Sequence, residues 1–280
     1  MILQAILILG GVGLVFGLFI ALANRKLWVW EDPRIELVAQ MLPNANCGAC
    51  GLPGCRAFAE QAVERKVAPA QCTVANDSTR QAIAAFLGVE AGAANKRVAR
   101  LLCAGGSDVA RIQAEYRGLS TCAAAAAVAG GGKACAWGCL GLADCQRVCD
   151  FAAITMNAAG LPVVDPERCT ACGDCVDACP KSLFVLLPLA HRLLVQCKNL
   201  VTGNAVLEDC KVACTACGKC VQDAAPGLIS VSSGVAVVDY DLIAQATEAA
   251  VARCPTNAIV WLSGAQFEPL PGSAPFREAA

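Results

Sequence analysis

The chain begins with one uninterrupted apolar run. Ile2–Ala23 contains no charged residue, and as a helix it is long enough to cross the roughly 30 Å hydrocarbon core of a bilayer. No positive residue precedes the run, as one would in a cleaved signal peptide, so we expect a retained membrane anchor over residues 1–24. Arg25, Lys26 and Arg34 follow the run, and the positive-inside rule then predicts a single-pass protein of the inner (cytoplasmic) membrane, with most of the chain on the cytoplasmic side.

Residues 30–92 have the spacing of short amphipathic helices. Asp32-Pro33 is typical of a helix start, and Ile35, Val38 and Leu42 then fall on one helical face. A glycine-rich loop follows, then a helical pattern in "RAFAEQAVERK", and then a helix that we expect to start at Ser78 and to end at Gly88. We predict a small helical domain.

Beyond this domain the pattern changes twice. Residues 93–133 are rich in Ala and Gly and are predicted to be a connector, helical up to about Val128. Two later stretches, "ITMNAAGLPVVD" and "LISVSSGVAVVD", predict β-hairpins with turns at Asn157–Gly160 and Ser232–Gly234. Residues 264–280 are predicted to be a loose tail. The predicted fold class is α+β.

The amino-acid composition limits the possible binding partners and the groups that could stabilise the chain. The net charge is −1 over 280 residues, which does not favour nucleic acid as a partner. Only 5% of residues are aromatic, whereas 20 are Cys, so we expect cross-links or metal to stabilise the chain in place of a large core. A reducing cytoplasm favours metal over disulfides.

The cysteines repeat along the chain. When the sequence is shifted by 75 residues, five cysteines of residues 118–188 fall on five cysteines of residues 193–263. We therefore predict two copies of one unit, spanning 134–190 and 193–263. The overlaid pairs are Cys122 and Cys197, Cys135 and Cys210, Cys139 and Cys214, Cys145 and Cys220, and Cys179 and Cys254.

The segment "CTACGDCVDACP", Cys169–Pro180, is the most specific motif in the chain. CxxCxxCxxxCP wraps a short loop around a [4Fe-4S] cube, and its fourth cysteine ligates the other cluster of a two-cluster ferredoxin fold. Zinc is the alternative, but it needs only four thiolates and no such run. The first unit is therefore predicted to bind two [4Fe-4S] clusters.

The cross-ligation rule assigns the cysteines of the first unit to two sets. One cluster is assigned to Cys149, Cys169, Cys172 and Cys175. The other is assigned to Cys135, Cys139, Cys145 and Cys179. The second set departs from the usual spacing, since Leu142 stands opposite Cys217. The alternative is that Cys135 is not a ligand of this cluster and that a different thiol takes its place. Its counterpart Cys210 must likewise have another role, because the cluster of the second unit has four other ligands.

The second unit has lost one complete ligand set. The counterparts of the Cys149 set are Ala224, Ala244, Thr247 and Ala250. Cys254 survives, and the same rule makes it the fourth ligand of a cluster with Cys214, Cys217 and Cys220. Random decay would not follow the cross-ligation pattern, so we interpret this as the loss of a single cluster's ligands and nothing more.

The helical domain carries its own motif, C-x2-C-x4-C-x16-C. It is formed by Cys47, Cys50, Cys55 and Cys72, and glycines at 48, 51 and 54 let backbone amides approach a cluster. A cube is the favoured interpretation, with zinc or free thiols as the alternative.

Four cysteines remain. They could hold a fifth cluster or be buried free thiols, and they are Cys103, Cys122, Cys197 and Cys210.

The only histidine, His191, is interpreted as a surface residue. We find no Walker loop, dinucleotide fingerprint or hydrolytic triad, and therefore no catalytic residue and no substrate-transforming site in this chain.

An apolar anchor, then "NCGACGLPGC", then "GGKACAWGCLGLADC" and two ferredoxin-like units resembles the long form of the B subunit of the Rnf ion-translocating electron transport complex. The resemblance covers residues 2–262. It implies a subunit of a ferredoxin:NAD⁺ oxidoreductase, which carries electrons from soluble reduced ferredoxin towards NAD⁺ while the complex pumps Na⁺ or H⁺. The cysteine sets above would give this subunit four [4Fe-4S] clusters, or five with the remaining cysteines. It also implies membrane-embedded and flavin-carrying partner subunits.

Two other functions stay open at this point. The chain could be the membrane-tethered iron–sulfur subunit of another oxidoreductase, or a metal-binding scaffold or cluster sensor without electron traffic. Reduction of the clusters at ferredoxin-like potentials would separate the last of these from an electron carrier.

Overall fold

The computed structural model describes residues 2–27, 30–93 and 95–269. The apolar run forms one helix, α1 (Ile2–Leu27), with Arg25 and Lys26 in its last turn. Its segment Leu9–Leu27, of mean hydropathy 1.3, is the one stretch among the described residues that is helical, long enough and apolar enough to cross a membrane. The expected anchor is therefore one continuous helix.

Three short helices form the domain that follows. They are α2 (Pro33–Met41), α3 (Cys55–Val63) and α4 (Asp77–Leu87). Asp32 caps α2 as expected, because its side chain accepts a hydrogen bond from the N–H of Arg34. The cap of α4 is Asn76 and not Ser78, since the Asn76 side chain accepts from the N–H of Thr79. The buried faces of the three helices meet in a small core around Val38, Phe58 and Ile83.

Each later unit has the element order β-α-β-β-α-β. The first contains β1 (Arg97–Leu101), α6 (Asp144–Arg147), β2 (Ile154–Met156), β3 (Pro162–Val164), α7 (Asp174–Asp177) and β4 (Phe184–Pro188), with α5 (Cys122–Ala127) inserted after β1. The second contains β5 (Leu193–Val195), α8 (Lys219–Asp223), β6 (Ile229–Ser232), β7 (Val235–Val238), α9 (Ala249–Ala252) and β8 (Ile259–Trp261). Short 3-10 helices lie at Pro69–Gln71, Ala129–Gly131, Asn204–Glu208 and Tyr240–Gln245.

The strands of the described residues pair into four two-stranded antiparallel sheets. The two predicted hairpins are β2–β3, with Ile154 opposite Val164, and β6–β7, with Ile229 opposite Val238. The other two sheets join the first and last strand of each unit, β1 with β4 and β5 with β8. The order and the pairing are the same in both units, as the cysteine repeat implies.

The predicted connector needs a correction. Residues 93–133 contain β1, which pairs with β4 from Arg97 opposite Pro188 to Leu101 opposite Phe184. This strand therefore belongs to the first unit. Immediately after the strands, the Leu102 N–H donates to Leu183 O at 2.7 Å and the Gln196 N–H donates to Ala258 O at 2.8 Å. Leu102 and Gln196 are therefore equivalent positions, and so are Cys103 and Cys197, which follow them.

The start of the predicted tail is packed against the first unit. The side-chain amide of Gln266 donates to Leu101 O at 2.7 Å, and its oxygen accepts from the Leu101 N–H at 2.9 Å. Phe267 packs against the core of that unit. The part of the predicted tail beyond residue 269 lies outside the described residues.

Candidate iron–sulfur sites

The four cysteines of the helical domain line one cavity of about 340 Å³. Three arrive on the loop before α3 and at its first residue, and Cys72 follows the 3-10 helix Pro69–Gln71. Hydrogen bonds position the cavity walls: the Cys55 N–H donates to Asn46 Oδ1 at 2.9 Å, and Arg80 Nε donates to Cys72 O at 3.2 Å. The structure thus brings together Cys47, Cys50, Cys55 and Cys72.

Gly54 carries the tightest turn of this loop, with φ of +112°. A Cβ at Gly54 would stand 2.9 Å from Asn46 Oδ1, the atom that accepts the Cys55 N–H. We expect Gly54→Ala to destabilise the loop by about 1–3 kcal/mol and to speed the loss of iron to a chelator. Gly51→Ala is the matched control: its φ is also positive, at +84°, but an added Cβ meets nothing within 4 Å. Equal iron-release rates in the two variants would contradict the steric part of this prediction.

The second cavity lies in the first unit and measures about 320 Å³. Cys149 follows α6, and Cys175 is the second residue of α7. Strand residues Ala99 and Leu186 close one side. All four cysteines that the cross-ligation rule groups together line this cavity: Cys149, Cys169, Cys172 and Cys175.

The third cavity, of about 380 Å³, lies in the second unit. It corresponds to the site of the first unit that is completed by Cys179. Cys220 lies on α8, and Cys254 comes from the far end of the unit, after α9. Arg253 makes a bidentate ion pair with the Asp223 carboxylate, at 2.6 and 2.7 Å. This pair connects the start of the Cys254 turn to the end of α8. The lining cysteines are Cys214, Cys217, Cys220 and Cys254, the set expected from the sequence.

The fourth cavity, of about 340 Å³, does not have the expected lining. Cys139, Cys145 and Cys179 line it, but the fourth cysteine on its wall is Cys122, and Cys135 is not among the lining residues. The assignment of Cys135 to this site therefore disagrees with the geometry, and the alternative, that a different thiol takes its place, agrees with it.

Local hydrogen bonds explain the position of Cys122. It is the first residue of α5, whose N-cap Thr121 accepts from the N–H of Ala124. The Ala123 N–H donates to Asp144 Oδ2 at 3.0 Å, which fixes the start of α5 against α6 and so places Cys122 near Cys145. Cys122 thereby supplies the fourth thiol of this cavity. The second unit uses Cys217 for that purpose, whereas the equivalent position in the first unit is Leu142.

The 75-residue shift paired Cys122 with Cys197, and that pairing is wrong. The two residues have different surroundings, because the position equivalent to Cys197 is Cys103. Each of these follows the first strand of its unit, and each sulfur accepts a backbone N–H, from Cys139 at 3.3 Å and from Cys214 at 3.4 Å. The first unit carries extra residues between Cys103 and Cys135, which hid this equivalence in the sequence.

Apolar side chains occupy the region where the second unit lacks its cysteines. Ala250 is fully buried, and Ala224 packs against the same core with Leu242 and Ile243 of the 3-10 helix Tyr240–Gln245. Thr247 follows this helix and accepts the N–H of Ala250. Hydrophobic packing here takes over the role that a metal group would have in holding the turn.

Four cavities of similar size, each lined by four thiols, fit [4Fe-4S] clusters in number and type of donor. Within the described ranges, no three or more His, Cys, Asp or Glu side chains are grouped as they would be around a single metal ion. A cube bonds one thiolate to each of four irons, so its ligands surround a volume and need not converge on one point.

Two parts of the chain match family models. Residues 42–74 match the FeS family, an Fe–S cluster domain, and residues 161–184 match the Fer4_6 family, a 4Fe-4S binding domain. The first range contains all the cysteines of the first cavity, and the second contains Cys169, Cys172 and Cys175 of the second cavity.

Relatives match nearly the whole chain. It is 45% identical to the B subunit of the Na(+)-translocating ferredoxin:NAD(+) oxidoreductase complex of Acetobacterium woodii, over 92% of this chain and 77% of the relative. It is 36% identical to the B subunit of the proton-translocating ferredoxin:NAD(+) oxidoreductase complex of Clostridium ljungdahlii, over 92% of both chains. It is 34% identical to the B subunit of the ion-translocating oxidoreductase complex of Methanosarcina acetivorans, over 92% of this chain and 97% of the relative.

The chain belongs to the B-subunit family of Rnf-type ion-translocating oxidoreductase complexes. It is an iron–sulfur electron-transfer subunit of such a complex, and α1 together with these relatives associates it with a membrane.

In this member of the family, burial shifts several of the cavity thiols away from thiolate formation. Desolvation is the largest cause of the raised pKa of Cys139 and Cys175, each to about 12, and of Cys220, to about 11. The charges of neighbouring cysteines raise these pKa values further. Since only the thiolate binds iron, loading releases protons, and cluster stability falls as the pH is lowered.

Cys254 differs from Cys139, Cys175 and Cys220. Burial raises its pKa, but hydrogen bonds from the backbone N–H groups of Ile259, Thr256 and Ala258 and from the Thr256 side chain outweigh that effect, so its pKa lies below the ordinary value. The turn after Cys254 thus stabilises the anionic sulfur that a cluster requires.

Arg100 is a buried cation next in sequence to Ala99, which lines the cavity of the Cys149 set. Its side chain is 2% exposed, Nη1 donates to Gly264 O at 2.8 Å, and its Nε has no hydrogen-bond partner among the described residues. Burial lowers its pKa, whereas the negative charge of Cys169 raises it. Arg100 therefore interacts with the charge of the site that contains Cys169.

We expect Arg100→Met to lower the reduction potential of that site by on the order of tens of millivolts, because a nearby positive charge favours the more negative, reduced state. Potentiometric titration followed by EPR measures this shift. Arg192→Met removes an exposed cation in the second unit and should leave the same potential unchanged. A rise in potential, or equal shifts in both variants, would contradict the argument.

His191 is half-buried, and its ring stacks on Tyr240 with 5.4 Å between centroids. None of the four cavities is lined by it. The interpretation of His191 as a surface residue therefore needs a correction, because its ring is half-buried against Tyr240.

Proposed function

We propose that the chain holds four [4Fe-4S] clusters and passes electrons from reduced ferredoxin towards NAD⁺ within an ion-translocating complex. The observation that carries the proposal is the presence of four separate cavities, each lined by four cysteines, in a member of this family. The proposed ligand sets are the four cavity linings, with Cys122 in place of Cys135 and with one cluster absent from the second unit.

Bound [4Fe-4S] clusters would supply one-electron chemistry over a range of about −700 to +450 mV. The residues of the chain hold the thiolates in place, exclude water from them through buried neighbours such as Phe58 and Ile259, and set local charge through groups such as Arg100. The sequence contains no site for hydride transfer or hydrolysis, so we assign substrate chemistry and ion movement to partner subunits. The names of the relatives support ferredoxin and NAD⁺ as the ends of the route.

We further propose a single membrane pass by α1, with the helical domain of residues 30–92 and both ferredoxin-like units on the cytoplasmic side. Arg25 and Lys26 at the end of α1 support this orientation. Protease digestion of sealed inverted vesicles should cut the domains away and leave α1 protected. Protection of the domains in inverted vesicles would require the opposite orientation.

Anaerobic titration of the purified chain with reduced ferredoxin tests the electron-transfer role. We expect oxidation of ferredoxin with the growth of [4Fe-4S]⁺ EPR signals from the four cavities. A control chain with Cys55→Ala should accept one electron fewer, since one cluster is removed. If the purified chain contains iron but takes no electrons from ferredoxin, it is a scaffold or a sensor. If it contains no iron, the proposal is wrong.

A further inference from the structure

Four cysteines lie outside the four cavities, and they form a set of their own. Two are buried, with 7% and 6% of their surface exposed, and two are half-buried. Two belong to the first unit and two to the second. They are Cys103, Cys135, Cys197 and Cys210.

Cys103 and Cys210 come together at Gly105. A Cβ at Gly105 would stand 3.0 Å from the Cys210 Sγ and 3.7 Å from the Cys103 Sγ. Both sulfurs therefore face one small backbone position, although they are far apart in sequence and lie in different units. Any side chain at residue 105 would displace one of the two sulfurs.

One extended segment places Cys210 and Cys135 on its two flanks. Ala110 forms an antiparallel bridge with Cys210, and Ile112 forms one with Lys133. The Lys211 N–H donates to the backbone oxygen of residue 109 at 3.0 Å, and the Ala134 N–H donates to that of residue 111 at 2.9 Å. Because neighbouring strands lie about 4.8 Å apart, the two cysteine-bearing segments lie about 10 Å apart on either side of residues 110–112, close enough for both thiols to bind one group between them.

Cys197 reaches the same region from the second unit. The Ala104 N–H donates to Gln196 O at 3.0 Å, which joins the turn after Cys103 to the residue before Cys197. The residues next to Cys103 and Cys197 are therefore hydrogen-bonded to each other across the two units.

The set has an internal symmetry. Cys103 and Cys197 occupy equivalent places after the first strand of each unit, and Cys135 and Cys210 are repeat mates. Each unit thus contributes the same two cysteines to one place between the units. Unrelated buried thiols would have no reason to meet in equivalent pairs, whereas a shared four-thiolate group explains the arrangement.

We propose that Cys103, Cys135, Cys197 and Cys210 hold a fifth [4Fe-4S] cluster that bridges the two ferredoxin-like units. This set replaces the one expected from the sequence, in which Cys122 stood in the place of Cys135. With it, all twenty cysteines of the chain belong to five sets of four.

Lys133 suits such a site. Its ammonium donates to the backbone oxygens of Gly105 and Cys139, the latter at 2.7 Å, which holds it close to the position that the Cys103 and Cys210 sulfurs face. A cube with four thiolates is an anion, and a lysine held beside it offsets part of that charge in a buried position.

The position of the fifth site defines its role. The sulfur of Cys103 accepts the N–H of Cys139, which lines the Cys122 cavity, and the sulfur of Cys197 accepts the N–H of Cys214, which lines the Cys254 cavity. Each of these two sulfurs is therefore hydrogen-bonded to the backbone of a cysteine that lines another cavity, one in each unit. A cluster held by this set would accept one electron from a reduced cluster on one side and pass it to an oxidised cluster on the other, a role that rests on the proposed electron-transfer function.

Iron analysis of the full-length chain, purified anaerobically in detergent, tests the site. The wild type should contain about twenty irons and twenty sulfides per chain, against about sixteen for the four cavities alone. Cys103→Ala and Cys210→Ala should each remove about four irons, and the double variant should lose no more than either single one, since both act on one cluster. Adding Cys47→Ala to either should remove about four more.

Other results would overturn the fifth cluster. These are sixteen irons in the wild type, unchanged iron in Cys103→Ala, one zinc per chain that is lost with Cys103, or a disulfide among the four cysteines in protein kept anaerobic throughout. The wild-type iron count does not depend on the folding of any variant. Iron-free protein would contradict the proposed function as well, whereas sixteen irons with normal reduction by ferredoxin would contradict the fifth site alone.

Discussion

Cys254→Ala should remove about four irons per chain and abolish one [4Fe-4S] EPR signal, while the signal of the Cys149 set stays intact. Alanine cannot ligate iron, and Cys254 is the one cavity cysteine contributed by the far end of the second unit. The neighbouring positions of the old motif, Ala244, Thr247 and Ala250, cannot replace it, because none of them carries a thiol.

The control for this variant is a second substitution in the same cavity. Cys220→Ala combined with Cys254→Ala should lose no more iron than either change alone, whereas Cys175→Ala with Cys254→Ala should lose about eight irons. Unchanged iron content in Cys254→Ala would show that the cysteine survives for another reason. The idea that the second unit lost one complete ligand set would then fail.

The second large effect concerns Cys122. Cys122→Ala should remove the cluster completed by Cys179, because the Cys122 thiol lines that cavity and the Cys135 thiol does not. The expected loss is about four irons per chain and one ferredoxin-type EPR signal. Such a loss would interrupt electron flow through the first unit.

A Cys179→Ala background separates Cys122 from Cys135. In that background Cys122→Ala should cost no further iron, since both residues serve one cluster, whereas Cys135→Ala should cost about four more if it belongs to the fifth site. The reverse pattern would restore Cys135 to the set expected from the sequence. Iron quantitation of four chains is enough to decide.

The positions of Cys122 and Cys135 also change the interpretation of the extra residues in the first unit. This insertion supplies α5 with Cys122 and the segment 110–112 that bridges to Lys133 and Cys210. It therefore supplies the missing ligand of one cavity and also holds the two units together at the proposed fifth site. A stretch that composition alone marks as a connector carries two parts of the metal-binding architecture.

Much of the candidate site could be predicted from sequence because cluster motifs are local. CxxCxxC places its thiols on one short loop, and the apolar anchor, the two hairpin turns and the Asp32 cap of α2 are equally local signals. The repeat and the cross-ligation rule then supplied Cys214, Cys217 and Cys220 as partners of Cys254, and Cys139 and Cys145, though not Cys122, as partners of Cys179. For these residues the sequence by itself determined which cavity they line.

Only the tertiary structure decided the rest, namely the places of Cys103, Cys122, Cys135, Cys197 and Cys210. Their neighbours come from contacts between distant segments: the pairing of β1 with β4, the bond from Ala123 to Asp144, and the bridge of Ala110 with Cys210. An insertion in one repeat breaks a fixed shift without disturbing the fold, because strand pairing follows hydrogen bonds and not residue counts. Thiols far apart in sequence can meet only when the packing of those segments is known.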